Sequence, residues 1–418
     1  MKLLFLGDTA GTGFGTVTRE LGRELIAAGI DVRFMSLNEK ENLVGWSAGT
    51  DAEWMAGRVA TLDKADGWLN LSDPELLQGR IGGMWTGSLF EDGWAPDAGL
   101  ILGDVGSLEM SGVLDLIPDG FPVWHYVPIE GVWLPPTWAG VWQKTQPVAC
   151  SEFGADQIAT IAGHRPPVIY HGVDRETFYP VSAKRPIVMR KGSDLTVLRS
   201  REDCRRLLGW PKDDVILFRA DRFMPRKAMG AMFRAVAPVL AKHKNVRLIW
   251  HCRTNDHGGS MIRLWSHYWG TGLSERMQST GAHDLAGGVD RKVLAAMYNA
   301  SDIYVSTSAE GFGLTIAEAL ACGIPAVGLA YSSVPEVIGA AGITVPWWPL
   351  DNIYGCLWAT PVEPAYTAAV ESLVTDTARR MVLGAKGPYQ VEKFSWQRTA
   401  VEQWLPLLTA GIREAVAA

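Results

Sequence analysis

The chain has 418 residues, too many for one hydrophobic core, so two domains are expected. Its 47% apolar and 20% charged content excludes a disordered or low-complexity protein, and no apolar run reaches the length of a membrane span. The net charge of −6 hides a split: Lys184 to Arg253 holds 18 Lys and Arg against 6 Asp and Glu, a belt of about +12, and the rest is near −18. The five cysteines are odd in number and nowhere at metal-ligand spacing, which points to a reducing compartment and away from a structural zinc. Of the 18 tryptophans, nine lie in the first 142 residues, and core packing accounts for most of them.

The opening Met1–Gly13 carries an apolar run too short for a signal peptide, so a cytoplasmic protein is expected. Lys2–Leu6 reads as a short strand, then a glycine-rich turn with Gly11, Gly13 and Gly15, an amphipathic helix over Val17–Ala28, and a strand over Ile30–Met35. This is a βαβ opening, but the glycine spacing departs from the dinucleotide fingerprint and no acid stands cleanly at the end of the second strand. Residues 38–98 show no clear periodicity. Strands follow at Gly99–Leu102, before Asp104, and at Pro122–Val127, which contains His125 with Glu130 close behind. Ser151 is a fitting N-cap for a helix after Val148–Cys150. A linker is expected at about 173–185.

The second half opens with a strand over Val215–Arg219, followed by Asp221, Arg222, Arg226 and Lys227. Cations at a strand end suit a diphosphate leaving group, and their spacing favours that reading over a pair of surface cations on a loop. Val246–His251 is a strand and Asp290–Asn299 a helix. Ile303–Val305 ends a buried strand. A turn from Ser306 to Gly313 leads into a helix over Leu314–Cys322, with Gly323 placed as a left-handed C′ residue and Pro325 beyond it. Strand, glycine turn and helix together leave free amides and a helix dipole aimed at one spot, a setting for a phosphate. Glu310 lies in the turn and Glu318 about one turn into the helix, where acids accept hydrogen bonds from hydroxyls.

Glu310, Gly311-Phe312-Gly313-Leu314 and Glu318-Ala-Leu-Ala-Cys-Gly-Ile-Pro, with seven residues between the two glutamates and Pro335-Glu336-Val337-Ile338 after them, resemble the signature of the family-4 retaining glycosyltransferases. The likeness extends over roughly 145–345, and weakly over the residues before. It implies an α/β protein of two Rossmann-like domains facing a cleft, the GT-B arrangement: residues 1–175 on the acceptor side, 176–385 binding a nucleotide sugar, and a tail over 386–418 returning to the first domain. It implies transfer of a sugar from a nucleotide diphosphate donor, UDP- or GDP-linked, with no further cofactor and no metal.

The resemblance also assigns roles. Glu318 would hold the donor ribose and Glu310 the donor sugar, with the backbone of Gly311, Phe312, Gly313 and Leu314 near the diphosphate. Arg222 and Lys227 match the family's Gly-Arg…Lys pattern, with Asp221 in place of the usual glycine, and would neutralise the departing diphosphate. Gly13 and Gly15 would approach the donor phosphates or the acceptor, and His125 would lie beside the donor sugar, although Trp124-His125-Tyr126-Val127 departs from the usual pattern. The base would dock near 283–287. The acceptor hydroxyl is left open between a glycan, a lipid-linked or small molecule, and a hydroxymethylated base in DNA, for which the basic belt speaks. A sugar-nucleotide epimerase and a non-catalytic sugar-nucleotide sensor are the rivals outside that class.

Overall fold

The computed structural model describes residues 1–8, 12–36, 59–61, 82–86, 92–110, 112–252, 255–256, 259–260, 267–268, 271–280, 289–352 and 355–417. The chain forms two compact units. The first comprises Met1–Gly172, Tyr354–Cys356 and Phe394–Ala418; the second comprises Val173–Ile353 and Leu357–Lys393.

Unit 1 is a six-stranded parallel sheet of β1 (Lys2–Gly7), β2 (Asp31–Ser36), β3 (Val59–Thr61), β4 (Ala98–Leu102), β5 (Val123–Val127) and β6 (Gln146–Ala149), in the order β3-β2-β1-β4-β5-β6. β4 and β5 are buried along their whole length, as strands covered on both faces must be. The helix after β1 begins at Gly13, four residues before the apolar periodicity starts, because the Thr12 hydroxyl caps it by accepting from the Gly15 amide at 3.0 Å. The Ser151 cap forms as expected, with the Gly154 amide donating to Ser151 Oγ at 3.0 Å. The tail enters this unit's core: Trp404 is fully buried edge-on to Tyr126 at 4.9 Å, and Trp396 stacks on His171 at 5.9 Å.

Unit 2 opens with an antiparallel hairpin, β7 (Ile187–Lys191) and β8 (Asp194–Leu198). Its main sheet is parallel: β9 (Val215–Ala220), β10 (Val246–His251), β11 (Met277–Ser279), β12 (Ile303–Val305), β13 (Ala326–Leu329) and β14 (Gly342–Val345), in the order β11-β10-β9-β12-β13-β14. Both sheets thus share one doubly wound order, in which the direction of winding reverses beside the first strand. In unit 2 that switch lies between β9 and β12, and the carboxyl ends of these two strands carry Asp221 and Ser306. Ligands of doubly wound sheets bind at such a point.

Candidate active site

Two segments meet at the switch. One leaves β9 through Asp221 and a short 3-10 turn, Pro225–Lys227, before the helix Met229–Lys242. The other leaves β12 through Ser306–Gly313 into the helix Leu314–Ala321. Lys227, buried, places Nζ 2.6 Å from Glu310 Oε1 and 2.8 Å from Asp221 Oδ1. Arg226 reaches Glu310 Oε2 at 3.4 Å and the Ala309 carbonyl at 3.2 Å. Ser308 Oγ donates to Glu310 Oε1 at 2.5 Å. Burial by itself would raise the Glu310 pKa; Lys227 and then Arg226 outweigh it, with the Lys227 and Ser308 hydrogen bonds, and hold the carboxyl down at about 2.

The turn that carries Glu310 is held from behind. Its amide donates to Ser332 Oγ at 2.9 Å, and Ser333 Oγ donates to the carbonyls of Glu310 and Phe312 at 2.7 and 2.8 Å. Gly313, at φ +99°, is the position where the chain turns into the helix; only glycine takes that conformation without strain, and it offers no capping side chain. No side chain of the Gly313 N-cap position therefore covers the first amides of the helix. Glu318, buried further along the helix, accepts from the Tyr298 hydroxyl at 2.8 Å, which fixes the carboxylate's orientation.

Comparison with known proteins finds similarity over the stretch that carries these residues. Residues 213–352 match the family model described as "Glycosyl transferases group 1". A D-inositol 3-phosphate glycosyltransferase of Rhodococcus opacus is 30% identical over 236 residues, 53% of this chain and 47% of the relative. The chain spans about half the length of the curated relatives it matches. Among solved structures, a glycosyltransferase from Rickettsia africae aligns with a TM-score of 0.68 at 15% identity, over 99% of this chain and 98% of that one. Anabaena HepE, solved in complex with UDP and glucose, aligns with a TM-score of 0.68 at 16% identity, over 98% and 100%. At these identities the likeness is one of fold, two Rossmann-like units of the GT-B class.

Within this stretch, the structure gathers Lys227, Glu310, Gly311, Phe312 and Gly313 at the switch, and places Glu318 and the half-buried Leu314 on the helix that follows. Arg222 is exposed on the same turn as Lys227, and its amide donates to Asp221 Oδ1 at 3.1 Å. Arg226, which sequence spacing left aside, contacts Glu310. Arg219 is the residue that sequence reading missed: it is fully buried in β9, where it reads as one more strand position. A cation in an otherwise apolar buried strand was the available signal.

Two readings in unit 1 are corrected. His125 is fully buried; Nε2 donates to the Gly103 carbonyl at 3.0 Å and Nδ1 accepts from Trp142 Nε1 at 3.3 Å. Both ring nitrogens are engaged in the core of this unit, so the ring is a packing group with none left for a sugar. Burial pulls its pKa down to about 4, against an opposing pull from the Gly103 hydrogen bond. Gly15 is likewise no phosphate contact, since its buried amide serves the Thr12 cap; Gly13 is exposed at the helix start. Gly11 and the base-docking stretch 283–287 lie outside the described residues.

The basic belt is also less basic than its count. Arg201 and Arg205 pair with Asp302, Arg234 with Glu363, Lys242 with Glu371, and Arg226 and Lys227 with Glu310, all acids from outside the belt. Among the described residues, no group of three or more His, Cys, Asp or Glu is placed to hold a metal, and no helix is long and apolar enough to cross a membrane. All five cysteines are buried.

Proposed function

We propose that this chain is a retaining, metal-independent hexosyltransferase that moves a sugar from a UDP- or GDP-linked donor to an acceptor hydroxyl. The observation that carries the reading is the meeting of Lys227 and Glu310, 2.6 Å apart, at the switch point of the stretch that matches the group 1 glycosyltransferase model. The crystallisation of HepE with UDP and glucose supports a nucleotide sugar as donor. Arg222, Lys227 and the first amides of the helix from Leu314 receive the diphosphate, where negative charge grows as the glycosidic bond breaks. Glu318 takes the ribose hydroxyls. Glu310, held ionised, faces the sugar ring as positive charge develops on it.

In this scheme the bond from the anomeric carbon to the β-phosphate oxygen breaks, and the acceptor oxygen bonds to that carbon on the same face. The acceptor's proton passes to the departing phosphate oxygen. No second carboxylate at glycosidase spacing is required. The acceptor is a glycan, a lipid-linked glycan or a small polyol; the relatives named for inositol phosphate place a cyclitol among the first to try. Buried cysteines, odd in number, fit a reducing, cytoplasmic setting.

The test is a thermal-shift screen of UDP- and GDP-hexoses, followed by measurement of nucleotide diphosphate release with candidate acceptors. Stabilisation by one donor and acceptor-dependent release are expected. A protein that no UDP- or GDP-sugar stabilises overturns the reading.

A further inference from the structure

Arg219 and Asp221 stand two residues apart at the end of β9, and nothing in the proposed chemistry uses either. Arg219 has no solvent exposure, and a buried guanidinium is costly unless its hydrogen bonds are placed to some purpose. Its Nη2 donates to Asp221 Oδ2 at 3.0 Å and to the Lys227 carbonyl at 2.8 Å; its Nη1 donates to Thr307 Oγ1. It therefore grips the turn that carries Lys227 and the loop that carries Glu310. Asp221 in turn accepts from Lys227 Nζ at 2.8 Å through its other oxygen. One cation thus holds Lys227 at two points, the backbone directly and the ammonium through Asp221.

The charges matter as much as the geometry. Arg219, Asp221, Arg226, Lys227 and Glu310 sum to +1; without Asp221 the sum would be +2. We infer that Asp221, oriented by Arg219, is a positioning residue that aims the Lys227 ammonium and acts as a counterweight to it, weakening the hold of the site on a diphosphate so that the product leaves. This rests on the donor-binding role given to Lys227 above. It goes beyond that role in assigning Asp221 a negative contribution to diphosphate affinity.

The two parts of the inference predict opposite signs. Asp221→Asn keeps an oxygen for Lys227 and removes the charge, so inorganic pyrophosphate, titrated calorimetrically into the full chain, should bind about threefold or more tighter. The double variant Arg219→Leu with Asp221→Gly leaves the charge sum unchanged but lets Lys227 go, and should bind pyrophosphate about tenfold or more weaker. A merely structural Asp221 would never tighten binding. Unchanged or weaker binding in a folded Asp221→Asn protein overturns the counterweight. Wild-type affinity in the double variant overturns the positioning, and it decides the matter alone should Arg219 without its counter-charge keep Asp221→Asn from folding. UDP and GDP are titrated alongside. A wild type that binds pyrophosphate and neither nucleotide rejects the nucleotide-sugar reading while the comparison of variants stands; a wild type that does not bind pyrophosphate rejects this inference.

Discussion

The Lys227 ammonium and the Glu310 carboxylate meet at 2.6 Å although 83 positions separate them in the chain. Each is buried, Lys227 is the main counter-charge of Glu310, and Lys227 is shared between Glu310 and Asp221, so a substitution at either acts on stability and on the site together.

Arg222 and Lys227 should therefore differ in kind. Removal of a charge-stabilising donor slows turnover by about a hundredfold to a thousandfold, and this is expected of both alanine variants. Lys227→Ala also removes the cation shared by Asp221 and Glu310, leaving them to Arg219 and Arg226, and should lose up to about 3–5 kcal/mol of stability. Arg222→Ala, at an exposed position, should melt close to wild type. Turnover within a fewfold of wild type in both variants would remove them from the mechanism.

The two glutamates are expected to separate in binding. A ribose contact is made equally in the ground and transition states, so Glu318→Gln should raise the donor KM and weaken binding of UDP or GDP. Glu310→Gln should bind the free nucleotide nearly as wild type does and turn over slowly. Calorimetry on both variants checks this; equal weakening in the two, or weakening in the Glu310 variant alone, refutes the assignment.

Acid should first weaken unit 1. Burial lowers the pKa of His125 to about 4 and that of His171 to about 3, so between pH 6.5 and those values the unfolded chain binds protons that the folded chain refuses. Stability then falls as pH drops through this window, by at most about 1.4 kcal/mol per pH unit for each histidine. The Glu310 contribution is fully present above pH 4.5 and is lost only as pH falls toward about 2. Melting temperature followed from pH 7.5 to 4 should drop in the wild type, and less steeply in His125→Gln. Parallel curves would show that His125 does not titrate differently on folding.

Transfer activity should persist in EDTA if, as proposed, Arg222, Lys227 and the helix from Leu314 supply the positive charge that a metal would. Abolition by chelator and restoration by a divalent ion would assign the diphosphate to a metal instead.

Duplex DNA should be held weakly at low salt, with a shallow salt dependence, since among the described residues acids from elsewhere in unit 2 pair with six of the 18 cations of the 184–253 belt. A steep salt slope would return a DNA base to the candidate acceptors.

Local order was legible from the residues alone. The turn into the helix at Gly313, the left-handed Gly323 at φ +76°, the Ser151 cap and the strands carrying His125 and Arg219 all follow from interactions between residues a few positions apart. The signature from Glu310 to Glu318 is of this kind, because one strand, turn and helix hold it whole. What a charge or a ring nitrogen touches is decided otherwise. The Thr12 cap took the Gly15 amide out of the supposed phosphate loop, Trp142 and Gly103 closed around His125, and Arg219 found Asp221, Thr307 and the Lys227 carbonyl across two loops. Periodicity reports that a position is buried. Only the packing of distant segments determines which polar groups are buried with it, and the cost of leaving a buried charge unpaired makes that pairing decide the chemistry of the site.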